Sequence, residues 1–206
     1  LNGPKGLAIQ GDTLWVADID AVRGFNRRTG AVVASIELDG RARFLNDIVA
    51  APDGSLYVTD TGLALENGQL SHPGPDRVFR IQGRQASIAA EGPWLAGPNG
   101  ITFDPAGARF IIVPFNGKEL LGWHPGSTTV DTVGTGPGGQ DGVEFLKGRL
   151  LASSWADSTV FAVDPNGVEP VVRGVPSPAD IGVDPARNWL AVPIFQGDRV
   201  EFWHLP

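Results

Sequence analysis

The chain has 206 residues, a net charge of −7 at pH 7, 42% hydrophobic residues and no cysteine. The acidic balance argues against a nucleic-acid or anionic-membrane partner. The absence of thiols excludes disulfides, thiolate catalysis and zinc–sulfur sites. No apolar run in the sequence reaches the roughly 18–20 residues needed to cross a bilayer. We therefore expect a soluble protein and leave open whether it is cytoplasmic, periplasmic or secreted. Its expected partner, for which the reasons follow below, is a small-molecule substrate.

One short pattern occurs five times along the chain. The copies read GPKGLAIQGDTLWVAD, LNDIVAAPDGSLYVTD, GPNGITFDPAGARFIIVP, QDGVEFLKGRLLASS and PADIGVDPARNWLAVP. Each copy is an apolar run, a tight turn with Gly or Pro, and a second apolar run. When the copies are aligned on these runs, equivalent residues are spaced 41, 53, 42 and 38 apart, close to the roughly 40–50 residues of one propeller blade.

The repeats predict an all-β protein, a β-propeller of four-stranded blades forming a single domain over 1–206. The first four copies contain four predicted strands each, and the fifth contains three. Because the last copy is one strand short, we expect a six-bladed propeller whose N-terminal blade lies upstream of Leu1; a closed five-bladed ring is the alternative. The chain contains no methionine, so its N-terminus and any signal peptide are expected to be missing. The approximate repeat bounds are 1–40, 41–92, 93–135, 136–174 and 175–206.

A column of polar residues stands where the first strand of each copy begins. In a propeller that strand is the innermost of its blade, so we call it the inner strand. Asn and Asp oxygens at this position could hold a divalent cation, with Ca²⁺ expected first and Zn²⁺ or Mn²⁺ as alternatives. Asn and Asp could instead cap turns. The column consists of Lys5, Asn46, Asn99, Asp141 and Ala179.

Two further columns follow from the same alignment. The residues directly after the polar column are Gly6, Asp47, Gly100, Gly142 and Asp180, and the three glycines predict close backbone approach. Asp47 could then be a second acid near the substrate or a turn cap. The second strands end at Asp18, Asp60, Pro114, Ser154 and Pro193. The two acids of this column could line a pocket or cap strand ends.

Three further residues are candidates for contact with a substrate. Lys5 could pair with Asp141 or bind a substrate carboxylate or phosphate. His72 lies in the long segment Thr61–Pro75, which could cover the site as a lid or be a surface excursion. Trp155 directly follows a second strand and could form a pocket wall.

The segments LNDIVAAPDGSLYVTD, GPNGITFDPAGARFIIV and GGQDGVEFLKGRLLAS resemble the SMP-30/gluconolactonase/LRE family. More distantly, they resemble NHL-repeat and strictosidine synthase-like propellers. The resemblance implies a six-bladed propeller and a metal-dependent lactonase. It places Asn99 and Asp141 at metal-ligand positions, and Asn46 near substrate and metal-bound water. The family's acidic ligand, a Glu in the first blade, has no counterpart here, and Phe44 stands where the family often has Arg.

We therefore predict a metal-dependent hydrolase of a lactone or similar cyclic ester. Asn99 and Asp141 would bind the metal, and Asn46, Asp47, His72 and Trp155 would contact substrate. Asp141 could also act as base, and Lys5 could stabilise developing negative charge. A non-catalytic propeller that binds ligands or proteins is the alternative, because propellers host many functions. A ring left open would also expose strand edges and favour self-association.

Overall fold

A computed structural model describes residues 1–164 and 167–205, with only the backbone described at Glu66. Within this part of the chain, regular structure consists of β-strands and two short 3₁₀ turns, Pro93–Leu95 and Phe195–Gly197. No helix of the described residues is both long enough and apolar enough to span a membrane. The strands are β1 (Pro4–Gln10), β2 (Thr13–Asp18), β3 (Ala21–Asn26), β4 (Val32–Glu37), β5 (Leu45–Ala50), β6 (Leu56–Asp60), β7 (Ala64–Glu66), β8 (Gln69–Ser71), β9 (Arg77–Gln82), β10 (Gln85–Glu91), β11 (Pro98–Asp104), β12 (Arg109–Pro114), β13 (Glu119–Trp123), β14 (Val130–Thr135), β15 (Gln140–Leu146), β16 (Arg149–Ser154), β17 (Thr159–Asp164), β18 (Gly167–Arg173), β19 (Gly182–Asp184), β20 (Trp189–Ile194) and β21 (Arg199–His204).

The strands form five antiparallel blade sheets. The chain divides into two compact units, Leu1–Pro98 and Asn99–Pro206. The first unit holds the sheets β1-β2-β3-β4 and β10-β9-β6-β5, and the second holds β11-β12-β13-β14, β15-β16-β17-β18 and β19-β20-β21. The predicted strand count of four, four, four, four and three is therefore confirmed. The assignment of 1–206 as a single domain and the number of blades in the complete protein stay predictions.

Each unit has apolar residues packed between its own sheets. In the first unit, Val22, Ile36, Leu45, Val58 and Phe79 belong to one buried cluster that draws on both sheets. The period-2 alternation of the strands produces this arrangement, because alternate side chains point to one face of a sheet. Burial of this apolar area is the main stabilising term, at roughly 25 cal/mol per Å².

The second unit has two such clusters, one between each pair of successive sheets. Val113 and Phe161 belong to the cluster between its first and second sheets. Leu151, Ile181 and Val192 belong to the cluster between its second and third sheets. The middle sheet, β15 to β18, is consequently covered on both faces, which explains why β16 is buried from Leu150 to Ser154.

The long segment Thr61–Pro75 contains a hairpin of its own, formed by β7 and β8. Asn67 and Gly68 form its turn with φ angles of 52° and 76°. Positive φ at both central residues is the geometry of a type I′ turn, for which Asn-Gly is the preferred sequence. The sequence predicted no strands in this segment, so the hairpin is an addition to the predicted fold.

The last sheet ends on β21, which pairs on one side with β20. Val200 is 50% exposed and Phe202 is 67% exposed on this strand. Self-association through an open edge stays a proposal, and β21 is the edge on which it would depend.

Candidate functional site

The polar column coincides with a β-bulge at the start of the inner strands. Lys5 and Gly6 together lie opposite the single residue Ala17, because Pro4 pairs with Asp18 and Leu7 with Val16. The same shift places Asn46–Asp47 opposite one residue of β6 and Asp141–Gly142 opposite one residue of β16. A bulge frees its first residue from the ladder and redirects its side chain, and bulges are frequent next to active sites.

A hydroxyl on the neighbouring strand holds the bulge in two of the blades. Thr59 Oγ1 accepts a hydrogen bond from the backbone N–H of Asp47 at 2.9 Å. Ser153 Oγ accepts the equivalent bond from Gly142 at 2.8 Å and donates to the carbonyl oxygen of Ala179 at 2.9 Å. Thr59 and Ser153 were not predicted, although each directly precedes the last residue of its second strand.

The glycines after the column allow neighbouring inner strands to touch. A Cβ on Gly6 would lie 2.3 Å from Asp47 Oδ1, and one on Gly100 would lie 2.5 Å from the carbonyl oxygen of Asp141. A Cβ on Gly142 would lie 2.3 Å from the backbone nitrogen of Ile181. These distances leave no room for a side chain, which confirms the predicted close approach. Asn99 and Asp141 therefore lie on touching strands of the second unit.

Asp18 and Asp60 cap the loops that lead into the inner strands, which is one of the two alternatives left open by the sequence. Asp18 Oδ1 accepts hydrogen bonds from the backbone N–H groups of Asn2 and Gly3 at 2.6 and 2.7 Å. Asp60 accepts from the N–H groups of three residues, at 2.9 to 3.0 Å. Burial raises the pKa of Asp60, against the opposing effect of these N–H groups. The three donors to Asp60 are Arg43, Phe44 and Gly62.

The predicted column of second-strand ends is one residue out of register in the last blade. In the fourth blade, Gln140 pairs with Ser154 of the second strand. In the last blade, Pro178 occupies the position of Gln140 and pairs with Ile194. Ile194, and not Pro193, therefore matches Ser154. The sequence predicted Pro193 as the strand end because the apolar run Leu190–Ile194 contains no other residue that marks one.

We expect Asp60→Ala to lower the free energy of unfolding by about 2 kcal/mol, because it leaves buried backbone donors without an acceptor. The matched control is Asp53→Ala, which removes a half-exposed carboxylate bonded to Arg80 and to the N–H of Ser55. Urea denaturation of both variants measures the difference. Equal losses in the two variants would contradict the capping role of Asp60.

Lys5 and Asn46 are both held in place within the first unit. Lys5 Nζ lies 4.1 Å from the centroid of the Phe44 ring and donates to the carbonyl oxygen of Gly3 at 3.2 Å. Asn46 Nδ2 donates to Thr61 Oγ1 at 2.9 Å, and this hydroxyl donates to the carbonyl oxygen of Pro98 at 3.0 Å. The bond to Thr61 fixes the orientation of the Asn46 amide group.

Asp47 and His72 each bond to groups of the protein itself. Asp47 is buried, and its Oδ1 accepts the N–H of Ile48 at 2.6 Å. His72 Nε2 lies 2.7 Å from Asp76 Oδ1, and Asp76 Oδ2 accepts the N–H of Gly97 at 2.7 Å. Both residues stay predicted substrate contacts, but these bonds already give each of them a structural partner.

The second unit contains an acidic residue that sequence reasoning missed. Glu144 is half-buried on β15, and its Oε2 accepts a hydrogen bond from Thr102 Oγ1 of β11 at 3.2 Å. Burial raises the pKa of Glu144 to about 7, against the opposing bonds from Thr102 and the backbone of Phe145. A carboxyl group that titrates near neutral pH is a candidate for acid–base work. The sequence did contain a signal for this pair: Thr102 and Glu144 each lie three residues after a member of the polar column, Asn99 and Asp141.

Trp155 lies between two other aromatic rings of the second unit. Its ring centroid is 5.7 Å from that of Phe115 and 5.4 Å from that of Phe195. The predicted pocket wall is thus part of a group of three aromatic side chains.

The oxygen donors of the polar column bear on whether the second unit could hold a metal ion. Across residues 1–164 and 167–205, no three His, Asp or Glu side chains converge in a way that could hold a metal ion. Asn99 and Asp141 offer one amide oxygen and one carboxylate, which are donors of the type that Ca²⁺ takes. Their chemistry fits a divalent cation, provided that water or other ligands complete the coordination shell.

Together, the sheet arrangement and the bulged inner strands define a β-propeller. The chain is similar to the solved structure of a gluconolactonase from Xanthomonas campestris, with 18% identity and a TM-score of 0.73 over 98% of this chain and 72% of that chain. A second protein, assigned as a gluconolactonase, gives a TM-score of 0.76 at 18% identity, over 97% of this chain and 72% of that one.

A third similar structure is virginiamycin B lyase from Staphylococcus aureus with quinupristin. Its TM-score is 0.71 at 16% identity, over 100% of this chain and 67% of that chain. No protein-family profile matches the sequence, and neither does any curated protein sequence. At these identities the likeness establishes the fold, and the function has to be argued from the site.

Proposed function

We propose that this propeller hydrolyses a lactone or similar cyclic ester. The observation that carries the proposal is the placement of Asn99 and Asp141 at the same position of two touching inner strands. Gluconolactonases are among the proteins whose folds are similar to that of this chain, and a lactone as substrate is consistent with this likeness.

In the proposed reaction, Asp141 accepts a proton from a water molecule as the water oxygen bonds to the lactone carbonyl carbon, and Asn99 orients the carbonyl group through its amide. The ring C–O bond then breaks, and the departing alkoxide oxygen takes the proton from Asp141. Glu144 adds a second carboxyl group on the same strand, with a pKa of about 7 that suits proton transfer at neutral pH. Asn46 as a substrate contact and Lys5 as a stabiliser of negative charge remain part of the proposal.

A divalent cation is also part of the proposal. Asn99 and Asp141 would hold it, and when bound it would polarise the carbonyl group and lower the pKa of a water molecule. Its presence is tested separately from hydrolysis, by calorimetric titration with Ca²⁺, Mn²⁺ and Zn²⁺. Unchanged metal binding in Asn99→Ala and Asp141→Ala would overturn the ligand assignment.

We expect Asp141→Asn to lower the rate of lactone hydrolysis at least tenfold, because the amide can neither accept the proton nor supply the negative charge. Hydrolysis is followed in a pH-stat with glucono-1,5-lactone and 3,4-dihydrocoumarin, with and without added metal. The control Asp131→Asn makes the same chemical change on an exposed residue of β14. Hydrolysis by the wild type at the uncatalysed rate would instead favour a propeller that only binds ligands.

A further inference from the structure

Three aromatic side chains occupy the same place in successive blades of the second unit. Phe115, Trp155 and Phe195 each directly follow the last residue of a second strand, at the ends of β12, β16 and β20. Trp155 is in ring contact with both of the others. We call these three residues the aromatic arc. The aromatic arc was not predicted from the repeat pattern, because its three residues lie just beyond the apolar runs that define the pattern.

The aromatic arc adjoins the start of the inner strands. The backbone N–H of Trp155 donates to the carbonyl oxygen of Gly139 at 2.9 Å, two residues before Asp141. The N–H of Phe195 donates to the carbonyl oxygen of Ser177 at 3.0 Å, two residues before Ala179. Trp155 and Phe195 are therefore hydrogen-bonded to the loops that lead into the polar column.

The two serine hydroxyl groups next to the arc already form hydrogen bonds within the protein. Ser154 Oγ donates to the carbonyl oxygen of Gly138 at 2.8 Å, and Ser153 Oγ bonds to Gly142 and Ala179. Trp155 Nε1 is buried and has no hydrogen-bond partner among the residues that the structure describes. Phe195, in contrast, is 67% exposed. The surface that a ligand would meet here therefore consists mainly of aromatic rings, and few hydroxyl groups are left to form hydrogen bonds with it.

We propose that the aromatic arc binds the flat apolar ring of a neutral ligand, such as the aryl ring of an aryl lactone. The proposal rests on the proposed function for the identity of the ring, but binding at the arc does not require hydrolysis. Aromatic rings attract each other in edge-to-face and offset arrangements. A polyhydroxylated sugar lactone would lose hydrogen bonds with water there and find few replacements.

The test uses lactams, which keep the ring shape of lactones and resist hydrolysis. Isothermal titration calorimetry compares 3,4-dihydroquinolin-2-one, which carries an aryl ring, with 2-piperidinone, which lacks it, and with the polyhydroxylated gluconolactam. We expect the aryl lactam to bind the wild type about tenfold more tightly than the other two, since the aryl ring adds the contact with the arc.

Two variants with the same loss of side chain locate the effect. Phe195→Ala should weaken binding of the aryl lactam about tenfold, whereas Phe202→Ala should leave it unchanged. Phe202 is the matched control because it is also 67% exposed, on β21. Both residues are exposed, so each variant should fold, and thermal unfolding verifies this.

The outcomes separate this proposal from the proposed function. Failure of the aryl lactam to bind, equal affinity for gluconolactam, or undiminished binding by Phe195→Ala would each overturn the aromatic arc as a ligand site, even if lactones are hydrolysed. Selective binding that depends on Phe195, without any lactone hydrolysis, would support the arc and contradict only the hydrolase assignment.

Discussion

Gly142→Ala is expected to lower the free energy of unfolding by about 3 kcal/mol, a large effect for a single methyl group. The new Cβ would lie 2.3 Å from the backbone nitrogen of Ile181 and 2.8 Å from the Cα of Asp180. Both contacts are with backbone, so no side chain can rotate away, and neighbouring inner strands have to move apart. Urea denaturation measures the loss.

Gly182→Ala is the matched control for this substitution. Gly182 lies on the inner strand β19, and a Cβ there meets nothing within 4 Å. We expect this variant to be as stable as the wild type or more stable by about 0.5 kcal/mol, because alanine restricts the unfolded chain. Similar losses at Gly142 and Gly182 would contradict the close approach of the inner strands.

Glu144 is expected to make stability fall as the pH rises from about 4.5 to 7. The pKa of Glu144 is raised from 4.5 to about 7 by burial, so in this range the folded protein holds a proton that the unfolded chain has released. Stability therefore decreases with rising pH, by at most about 3 kcal/mol for this group. The pKa of Asp53 is lowered mainly by the N–H of Ser55. Asp53 therefore makes stability rise with increasing pH, and it does so in a lower pH range than Glu144.

The variant Glu144→Gln isolates this contribution. Its amide keeps the shape and can still bond to Thr102, but it does not titrate. Relative to wild type, the variant should gain up to about 3 kcal/mol between pH 5 and pH 8. Glu119→Gln, at an exposed residue of β13, removes the same charge and should leave the pH dependence unchanged. If the free energy of unfolding of Glu144→Gln varies with pH in the same way as that of the wild type, the raised pKa of Glu144 is contradicted.

The repeat pattern predicted the fold because spacing and alternation are properties of the sequence itself. Five copies with a hairpin turn in each gave the blade sheets and their strand counts, including the short last sheet. The glycines after the polar column predicted the close contacts, since only glycine fits where backbones touch. The hairpin of β7 and β8 was equally predictable, because Asn67-Gly68 is the preferred sequence of a two-residue hairpin turn.

The arrangement of the candidate site was less accessible from sequence. A bulge changes which side chains share a face, and strict alternation cannot show where it occurs. Glu144 was not predicted for this reason. The bulge at Asp141–Gly142 interrupts the alternation of side chains along β15, so alternation counted from Asp141 does not show which face Glu144 occupies. The aromatic arc combines residues from three distant segments, and only the strand pairing places Phe195 in register with Trp155.

The hydroxyl of Ser153 has a consequence for how this scaffold can change. The bond from Gly142 to Ser153 is made by the backbone N–H, so it does not depend on which side chain precedes Gly142. The bond from Asp47 to Thr59 has the same property in the second blade. The five copies carry a cation, two amides, an acid and a methyl group at the preceding position. Substitutions at Asn46 and Asp141 would leave these two backbone bonds in place, which makes both positions suitable targets for directed evolution of specificity.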